Sequence, residues 1–319
     1  FRDAVRIPGF KPFDFAKPEE DMATFQAVKT YADRIKKHDC IALAELVHCG
    51  KEKVPFNDQQ EAIGPVDCVN SAGVPVRAMT KDDMDRIAND FAVAAVYMQK
   101  AGFDGILVHG GHGFIFTQYL SPLMNTRTDE YGGSLENRAK FPLECIRAIR
   151  ANMPEGMPLL MRIDAHDDYL EGGLTIEEVI KFCKLAQEAG VDVLDVSRGN
   201  ILSNGLKFEV PPVDLPQGFN VDNAAKIREE TGMLTIGVGR INTPELAEKI
   251  LEEDKVDMVV MGRAQLADPE FCKKAEAGEI DDIDYCVGCN QGCYDGFENM
   301  DMECITCLRN PALGREKEC

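Results

Sequence analysis

Six short apolar segments, separated by segments that carry helix signals, constrain the fold of this chain more than any other feature. Each segment is nearly continuous in apolar residues, which is typical of parallel strands covered on both faces. The six segments are residues 41–48, 104–110, 158–164, 192–197, 234–239 and 257–262. Strands that alternate with helices predict an α/β fold built on a parallel sheet.

Several helix starts between these segments are marked by residues that cap the first turn. Thr80 and Thr175 are each followed three residues later by an acidic residue, which is a capping-box pattern. Thr243 precedes Pro244, so an N-cap stands before a proline at the first helical position. We therefore expect helices to begin at these three points.

The ends of the last two apolar segments favour a barrel over a doubly wound sheet. Gly239–Arg240 and Gly262–Arg263 each end an apolar segment. In barrels the loops after strands 7 and 8 commonly bind phosphate; glycine lets the backbone approach the anion, and arginine donates charge-assisted hydrogen bonds. Alternatively, the glycines only end strands and the arginines are solvated. The phosphate interpretation predicts a (β/α)8 TIM barrel whose first two strands precede Phe1, so that the chain is a fragment.

Charge and length restrict the partners of the chain. It has 319 residues and a net charge of −20, so its surface repels nucleic acid phosphates and anionic lipid headgroups. No run approaches the roughly 18 consecutive apolar residues of a membrane helix. We therefore expect the chain to bind a small-molecule substrate rather than nucleic acid or a membrane. The sequence allows a homo-oligomer. The length fits a barrel over residues 1–275 and an appended segment over residues 276–319.

Twelve cysteines are present, and seven of them are scattered along the chain. A chain of this length builds its own core and does not need disulfides as staples. We therefore expect most of the scattered cysteines to be buried thiols in a reducing, cytoplasmic compartment. The seven are Cys40, Cys49, Cys68, Cys145, Cys183, Cys272 and Cys319.

The other five cysteines fall close together near the end of the chain. Cys286, Cys289 and Cys293 have the spacing C-x2-C-x3-C, and either Cys307 or Cys304 supplies a fourth thiol. Four thiolates hold either zinc or an iron–sulfur cluster. Zinc sites usually have two short C-x2-C pairs, so three cysteines plus a distant fourth fit a cubane cluster better. Zinc, a disulfide and free thiols remain the alternatives.

Polar residues stand at the ends of several predicted strands, where the catalytic groups of barrels are found. His109 and His112 share one loop, and their imidazoles can donate hydrogen bonds to a substrate carbonyl or a cofactor oxygen. No third metal ligand is evident beside them; in the alternative they only satisfy loop carbonyls. Glu45 ends another segment, and Arg162 lies within or at the top of a strand. A buried arginine needs an anionic or electron-rich partner, and the N1–C2 oxygen edge of a flavin would serve.

Two stretches of sequence together resemble a known family. The stretch HGGHGFIFTQYLSPLMNTRTDEYGGSLENRAKF (109–141) is similar to the signature that follows the fourth barrel strand in the old yellow enzyme superfamily. The stretch CVGCNQGC, with CLRNP further on, resembles the iron–sulfur branch of NADH:flavin oxidoreductases. That branch includes 2,4-dienoyl-CoA reductase, 2-enoate reductase, trimethylamine dehydrogenase and the bile-acid-inducible oxidoreductases. The resemblance implies an FMN-binding barrel that receives electrons from a [4Fe–4S] cluster, and an FAD- and NAD(P)H-binding region in the full-length protein.

The resemblance also implies roles for particular residues. His109 and His112 match the pair that binds the substrate carbonyl, and Arg162 matches the arginine beside flavin N1. The phosphate contacts fall on Gly239, Arg240, Gly262 and Arg263. The cysteine before the LxNP stretch is the fourth cluster ligand, so Cys307 joins Cys286, Cys289 and Cys293 while Cys304 stays outside.

Two positions depart from the pattern of the family. Glu45 occupies the place of a glutamine that contacts the flavin pyrimidine ring, so its carboxylate must be protonated or paired there. Phe114 occupies the place of a tyrosine that donates a proton in many relatives, and phenylalanine has no proton to give. Another acid must replace it, and Tyr119, Tyr169 and water are the alternatives.

The sequence thus predicts an NAD(P)H-dependent flavin and iron–sulfur ene reductase. Its substrate would be a 2-enoate, an enoyl-CoA or a 3-oxo steroid, and the reverse reaction would form the double bond. A carbonyl-bearing substrate is favoured over an amine by the two histidines. The alternatives are an amine dehydrogenase that uses the same cofactors and a zinc-stabilised barrel with no redox role.

Overall fold

The computed structural model of the protein describes residues 21–52, 61–169, 171–203, 206–294 and 304–316; Phe1 and Cys319 lie outside them. The strands in these ranges are β1 (Leu43–Leu46), β2 (Ala62–Gly64), β3 (Cys68–Val69), β4 (Pro75–Ala78), β5 (Gly105–His109), β6 (Leu159–Asp164), β7 (Val193–Ser197), β8 (Leu234–Gly237) and β9 (Met258–Val259). The α-helices are α1 (Met22–Lys36), α2 (Lys81–Lys100), α3 (Ile115–Leu120), α4 (Leu135–Asn152), α5 (Ile176–Ala189), α6 (Leu206–Glu209), α7 (Val221–Thr231), α8 (Pro244–Glu252), α9 (Gly262–Ala267) and α10 (Phe271–Ala277).

The order of strands in the main sheet distinguishes a barrel from a doubly wound fold. Six strands pair in the order β1-β5-β6-β7-β8-β9, and all five pairings are parallel. A doubly wound sheet reverses its direction of growth at a switch point, whereas this sheet grows in one direction only. The predicted parallel α/β fold and its six strands are confirmed, and the winding is that of a (β/α)8 barrel.

The predicted helix starts are also confirmed. Thr80 and Thr175 form complete capping boxes at α2 and α5, with reciprocal hydrogen bonds between the cap and the third helical residue. The Thr243 side chain accepts a hydrogen bond from the backbone N–H of Leu246, and Pro244 is the first residue of α8. These local signals set where the chain leaves each loop, because they satisfy N–H groups that have no partner within the helix.

Helices α2, α4 and α5 cover the outer face of the sheet and form the main core with it. Four buried aromatic side chains lie at the centre of this layer, with Phe91 and Phe116 rings 5.6 Å apart and Tyr119 and Phe141 rings 4.5 Å apart. Truncating such a ring to alanine costs about 3–5 kcal/mol. The outer layer therefore supplies much of the rigidity on which the strand ends depend.

The inner face of the sheet carries a smaller apolar cluster. Leu160, Val193 and Ile236 are buried together there, with the half-buried Leu107 and Val260 packed against them. Parallel pairing aligns Leu107 with Leu160 and Leu160 with Val193. Because side chains alternate between the two faces, the residues two positions further along each strand also point inward. Those positions hold the polar groups described below.

A second sheet, with strand order β2-β4-β3, follows β1 and was not predicted. Its strands are only two to four residues long, too short to show a periodic pattern. It lies on the loop between β1 and α2. Among the described residues, no helix combines the length and the apolar composition needed to cross a membrane.

Of the six scattered cysteines that the structure describes, three are buried, namely Cys49, Cys145 and Cys183, and Cys68 is half-buried, so only half of them follow the prediction. Cys145 and Cys183 are fully buried, and burial raises the pKa of the Cys183 thiol to about 12 and that of Cys145 well above its usual range. These thiols stay protonated at neutral pH. Cys40 and Cys272 are exposed, so the expectation of burial was wrong for these two.

Candidate active site

A row of polar side chains lies on the inner face of the sheet near the carboxyl ends of the strands. Strand pairing aligns His109 with Arg162, and Arg162 with Asp195. Arg162 Nη1 donates to Asp195 Oδ2 at 2.7 Å, and Arg162 Nη2 lies 3.4 Å from Ser197 Oγ. His109 Nδ1 is 2.6 Å from Glu45 Oε1. We call Glu45, His109, Arg162 and Asp195 the inner row.

Asp195 explains how an arginine is accommodated inside the barrel. Its side chain is almost completely buried, and an unpaired charge beside it would be costly. Burial raises the pKa of Asp195 above its usual value, although the positive charge of Arg162 acts in the opposite direction. Asp195 Oδ1 has no hydrogen-bond partner among the described residues. Arg162 therefore has one fixed anionic partner while its outer side faces a cavity.

Glu45, which stands where the family has a glutamine, is expected to be either protonated or paired, and the structure pairs it with His109. Burial acts to raise its pKa, but the hydrogen bond to His109 and the positive charges of His109 and Arg162 outweigh burial, so the pKa of Glu45 lies below its usual value. Glu45 is therefore a carboxylate at neutral pH, and His109 is its partner.

His112 lies beside His109, with the two ring centroids 5.0 Å apart, but its ring nitrogens face other groups. His112 Nε2 is 2.7 Å from Ser197 Oγ, and Nδ1 is 3.8 Å from the carboxylate of Glu209. Its backbone N–H donates to Asp164 Oδ2 at 2.5 Å. Burial lowers the pKa of His112 well below its usual value, with the charges of His109 and Arg162 adding to the effect. His112 is therefore a neutral imidazole at neutral pH.

The two alternative tyrosines are engaged elsewhere. Tyr119 is fully buried, and its hydroxyl donates to Met79 Sδ at 3.6 Å. The Tyr169 hydroxyl donates to the carbonyl of Leu202 at 3.2 Å. Burial raises the pKa of both phenols. Phe114 itself lies against His109, with ring centroids 5.0 Å apart.

A cavity of about 310 Å3 extends from Arg162, the one inner-row residue in its wall, towards the ends of β8 and β9. Arg162 and Ser197 line one part of it. The residues that the sequence indicated as a phosphate site line another part: Gly239, Arg240, Gly262 and Arg263. Its volume lies at the lower end of the range for small-molecule and cofactor pockets. The structure therefore brings five of the six predicted cofactor-binding residues around one cavity, and Glu45 is the one that does not line it.

Backbone geometry and loop carbonyls shape the end of this cavity that holds Arg240 and Arg263. Gly239 has φ +141°, and a Cβ there would lie 3.1 Å from the backbone nitrogen of Asn220. Arg240 Nη1 donates to the carbonyls of Val213 and Leu215. Arg263 Nη1 donates to the carbonyl of Pro211 at 2.9 Å. The loop before α7 thus holds both guanidinium groups beside the cavity.

A second, smaller cavity lies between the two cysteine-containing segments. All four predicted ligands line it, namely Cys286, Cys289, Cys293 and Cys307, while Cys304 does not. Cys304 is exposed, and its Sγ lies 3.6 Å from the carbonyl oxygen of Gly314. Arg263 and Cys286 line both cavities. We call these four cysteines and the cavity between them the cysteine pocket.

The cysteine pocket has suitable ligand atoms but little internal space. Its volume is about 20 Å3, which is close to that of one water molecule. In the described ranges, no three His, Cys, Asp or Glu side chains lie close enough together to hold a metal ion. Gly292 packs tightly against the second segment, because a Cβ there would lie 2.3 Å from Thr306 Oγ1. A four-iron cluster would thus fit the donor set only if the two segments moved apart.

Sequence reasoning missed Asp195, Ser197 and Glu209. Asp195 and Ser197 lie within the predicted strand 192–197, but their contacts join residues more than 30 positions apart. One signal was available: a carboxylate two residues before the end of an otherwise apolar strand, at an inward position. Glu209 lies in the short helix α6, and no pattern distinguished it.

Comparison with known proteins places this site in context. The profile of the NADH:flavin oxidoreductase / NADH oxidase family matches residues 19–282. The NADH oxidase of Thermoanaerobacter brockii is 38% identical over 290 residues, which are 89% of this chain and 44% of that protein. The chain thus spans less than half the length of this relative.

Two solved structures have a similar fold over nearly the whole chain. A 2-naphthoyl-CoA reductase in complex with 2-naphthoyl-CoA has a TM-score of 0.84 and 28% identity, covering 93% of this chain and 46% of that one. Histamine dehydrogenase from Rhizobium sp. 4-9 has a TM-score of 0.85 and 28% identity, covering 98% of this chain and 45% of that one. One is named as a reductase of an acyl-CoA and the other as an amine dehydrogenase.

Proposed function

Because the chain belongs to the NADH:flavin oxidoreductase / NADH oxidase family, we propose that the full-length protein is an NAD(P)H-dependent ene reductase. It reduces, or in reverse forms, a C=C bond conjugated to a carbonyl, as in a 2-enoate, an enoyl-CoA or a 3-oxo steroid. FMN and a [4Fe–4S] cluster are its cofactors within this chain. FAD and the NAD(P)H site belong to the remainder of the protein.

The observation that carries the proposal is the single cavity that Arg162 shares with Gly239, Arg240, Gly262 and Arg263. FMN has an electron-rich pyrimidine edge at one end and a phosphate at the other, and the cavity offers a guanidinium group to each. Bound there, FMN would supply hydride chemistry. Arg162 would stabilise negative charge at the pyrimidine edge, and the two glycines would let the backbone approach the phosphate.

The cysteine pocket supports the cluster part of the proposal. Its four thiols match the predicted ligand set, and Cys286 also lines the larger cavity. A cluster held by these residues would therefore be adjacent to FMN, in a position to pass electrons to it. Ordering of the two cysteine segments around the cluster fits the general coupling of metal binding to local folding.

The inner row supports a carbonyl-bearing substrate. His109 is 12% exposed at the side-chain level, and a protonated imidazole there can stabilise an oxygen on which negative charge develops. The similarity to 2-naphthoyl-CoA reductase agrees with an acyl-CoA as one substrate class. An amine dehydrogenase is the second candidate, because Glu45 is a carboxylate that would attract an ammonium group, and histamine dehydrogenase is equally similar.

Spectroscopy and a substrate panel test the proposal on the full-length protein. We expect flavin absorption bands, a broad iron–sulfur absorption near 400 nm, and about four iron and four acid-labile sulfide atoms per chain. We also expect NAD(P)H-dependent reduction of enoates or enoyl-CoA esters and no oxidation of amines. A protein without flavin bands would contradict the proposal, and turnover of amines alone would favour the second candidate.

A further inference from the structure

One ring nitrogen at the centre of the inner row lacks a partner. His109 Nε2 is buried and has no hydrogen-bond partner among the residues that the structure describes. The other nitrogen, Nδ1, is held 2.6 Å from Glu45 Oε1. A buried polar atom without a partner is costly, so this nitrogen is placed to meet a ligand.

The Glu45 contact determines what that nitrogen can do. An ionised carboxylate only accepts hydrogen bonds, so it keeps the proton of His109 on Nδ1. In the neutral ring Nε2 is then an acceptor, and it becomes a donor only when the ring is an imidazolium. The Glu45 carboxylate, 2.6 Å away, can accept the Nδ1–H in both forms of the ring. A glutamine at position 45 would not fix the proton of His109 on Nδ1, because its amide can both donate and accept hydrogen bonds.

The other charged and titratable groups around His109 form contacts with other residues. Arg162 is bound to Asp195 at 2.7 Å and does not deprotonate in proteins. Asp164 accepts the backbone hydrogen bond of His112 rather than contacting His109. The Phe114 ring, which packs on His109, has no proton to give. Of the groups in contact with one another here, His109 is the one that can release a proton to a ligand.

We propose that Glu45 and His109 form an acid dyad, in which Glu45 holds His109 in the Nδ1-protonated form so that the Nε2–H of the imidazolium supplies the proton for reduction. Glu45 is the positioning residue, and His109 touches the substrate. The inference rests on the proposed ene reduction, and it assigns the proton that neither Phe114 nor the two engaged tyrosines can deliver.

The step balances in atoms and charge. With FMN bound and reduced as proposed, a hydride would add to the β carbon; the C=C electron pair then forms the bond between the α carbon and the carbonyl carbon, and the C=O π pair moves to the oxygen. The Nε2–H bond of His109 breaks and its proton goes to that oxygen, which leaves a neutral imidazole and an enol. The enol becomes the saturated carbonyl compound in water by exchanging its O–H proton for a C–H bond at the α carbon. His109 regains a proton from solvent.

The first test reads the tautomer of His109 directly, without turnover. In the full-length protein labelled with 15N-histidine, we expect the His109 signals, assigned by their loss in His109→Asn, to show a proton on Nδ1 at pH 8. Glu45→Gln should increase the Nε2–H form, whereas the exposed Glu130→Gln should change nothing. An unchanged tautomer in Glu45→Gln would overturn the dyad, whatever the substrate proves to be.

The second test uses the rate of enoate reduction, normalised to bound FMN. Glu45→Gln should lower kcat at least tenfold at pH 8, with KM changed less than twofold, because general acid catalysis commonly contributes 10²–10⁴-fold. Phe114→Tyr introduces an independent proton donor. In that background Glu45→Gln should lower kcat less than threefold.

An equal loss of kcat in both backgrounds would show that Glu45 acts in another way and would overturn the proposal. Failure of the proposed function gives a different result: the wild-type protein, with FMN bound, would reduce no conjugated carbonyl compound at all. The tautomer measurement would still decide whether the dyad exists.

Discussion

The inner row and the cysteine pocket are adjacent, yet they are constructed in opposite ways. The inner row consists of side chains whose positions are fixed by strand pairing, and Arg162 is already paired with Asp195 and Glu45 with His109. The cysteine pocket joins two loop segments across a volume of about 20 Å3. The first site is therefore organised by its own contacts, whereas the second would have to rearrange to hold the proposed cluster.

The difference follows from what holds each site. Strands β5, β6 and β7 are linked by continuous parallel hydrogen bonding, and a shift of one residue would turn every inner-row side chain to the other face. The cysteine segments are held by single contacts: the Thr306 N–H donates to the Gly292 carbonyl and joins the two segments, and Asn242 donates to the Cys286 carbonyl and joins the first segment to the barrel. The pairing register of the strands is therefore hard to change, whereas single hydrogen bonds between loops can break and form again.

The largest expected effect concerns the cysteine pocket and its fourth thiol. We expect Cys307→Ser in the full-length protein to lose the iron and the labile sulfide almost completely, because Cys307 lines the pocket and serine is a poor ligand for iron. FMN content should stay near that of the wild type, because Cys307 does not line the larger cavity. Iron and sulfide analysis with flavin absorbance measures both quantities.

Cys304→Ser is the matched control, since the same atom is exchanged three residues away and outside the pocket. It should keep the cluster. A cluster that is lost in Cys304→Ser and retained in Cys307→Ser would show that the fourth ligand has been assigned wrongly.

A second prediction tests whether the inner row is organised by its own contacts. Asp195→Ala removes the partner of Arg162 and should lower the free energy of unfolding by about 3 kcal/mol, because it leaves a largely buried charge without its counter-ion. FMN affinity should also fall, as Arg162 loses its fixed orientation. Denaturant titration and FMN titration of the protein measure the two effects.

Asp195→Asn keeps an oxygen that can accept from Arg162 and should recover part of both losses. If Asp195→Ala were as stable as the wild type, pairing within the inner row would contribute little, and the contrast with the cysteine pocket would not hold.

A smaller effect should appear in the pH dependence of stability. Burial raises the pKa of Asp164 well above its usual value, so the folded state binds a proton that the unfolded state releases above about pH 3.9. The stability that this proton confers is therefore lost as the pH rises. Between pH 5 and pH 8 the wild type should therefore lose more of its free energy of unfolding than Asp164→Asn loses.

Denaturant titration at the two pH values measures that difference, and the exposed Asp222→Asn serves as the control. Parallel profiles for wild type and Asp164→Asn would show that the Asp164 carboxyl does not contribute to the pH dependence.

Local sequence determined much of the fold but less of the site. The six apolar segments and the capping residues Thr80, Thr175 and Thr243 predicted strands and helix starts that the structure contains, because each is decided within one turn or one strand. The small β2-β4-β3 sheet was missed because two- to four-residue strands carry no periodicity. The Arg162–Asp195 pair was missed because it depends on lateral register between strands.

The structure brings some groups of predicted site residues together as expected and arranges others differently. Arg162 and the four phosphate residues surround one cavity, and the four cysteines surround another, although their ligands stay predictions. The resemblance implied that His109 and His112 act as an equivalent pair. Their rings are adjacent, but Ser197 at the end of β7 and Glu209 in α6 face the nitrogens of His112, a difference that depends on residues far from His112 in the sequence.

Arg263 lies in the wall of both cavities. Burial lowers the pKa of its guanidinium group, and the neighbouring thiols Cys286, Cys293 and Cys289 act in the opposite direction. With both cavities filled as proposed, each occupant would alter the electrostatic potential felt by the other through this one side chain. Thermodynamic linkage then requires that the two effects be equal. If one state of the cluster increases the affinity for phosphate by some factor relative to another state, phosphate binding shifts the equilibrium towards that first state by the same factor.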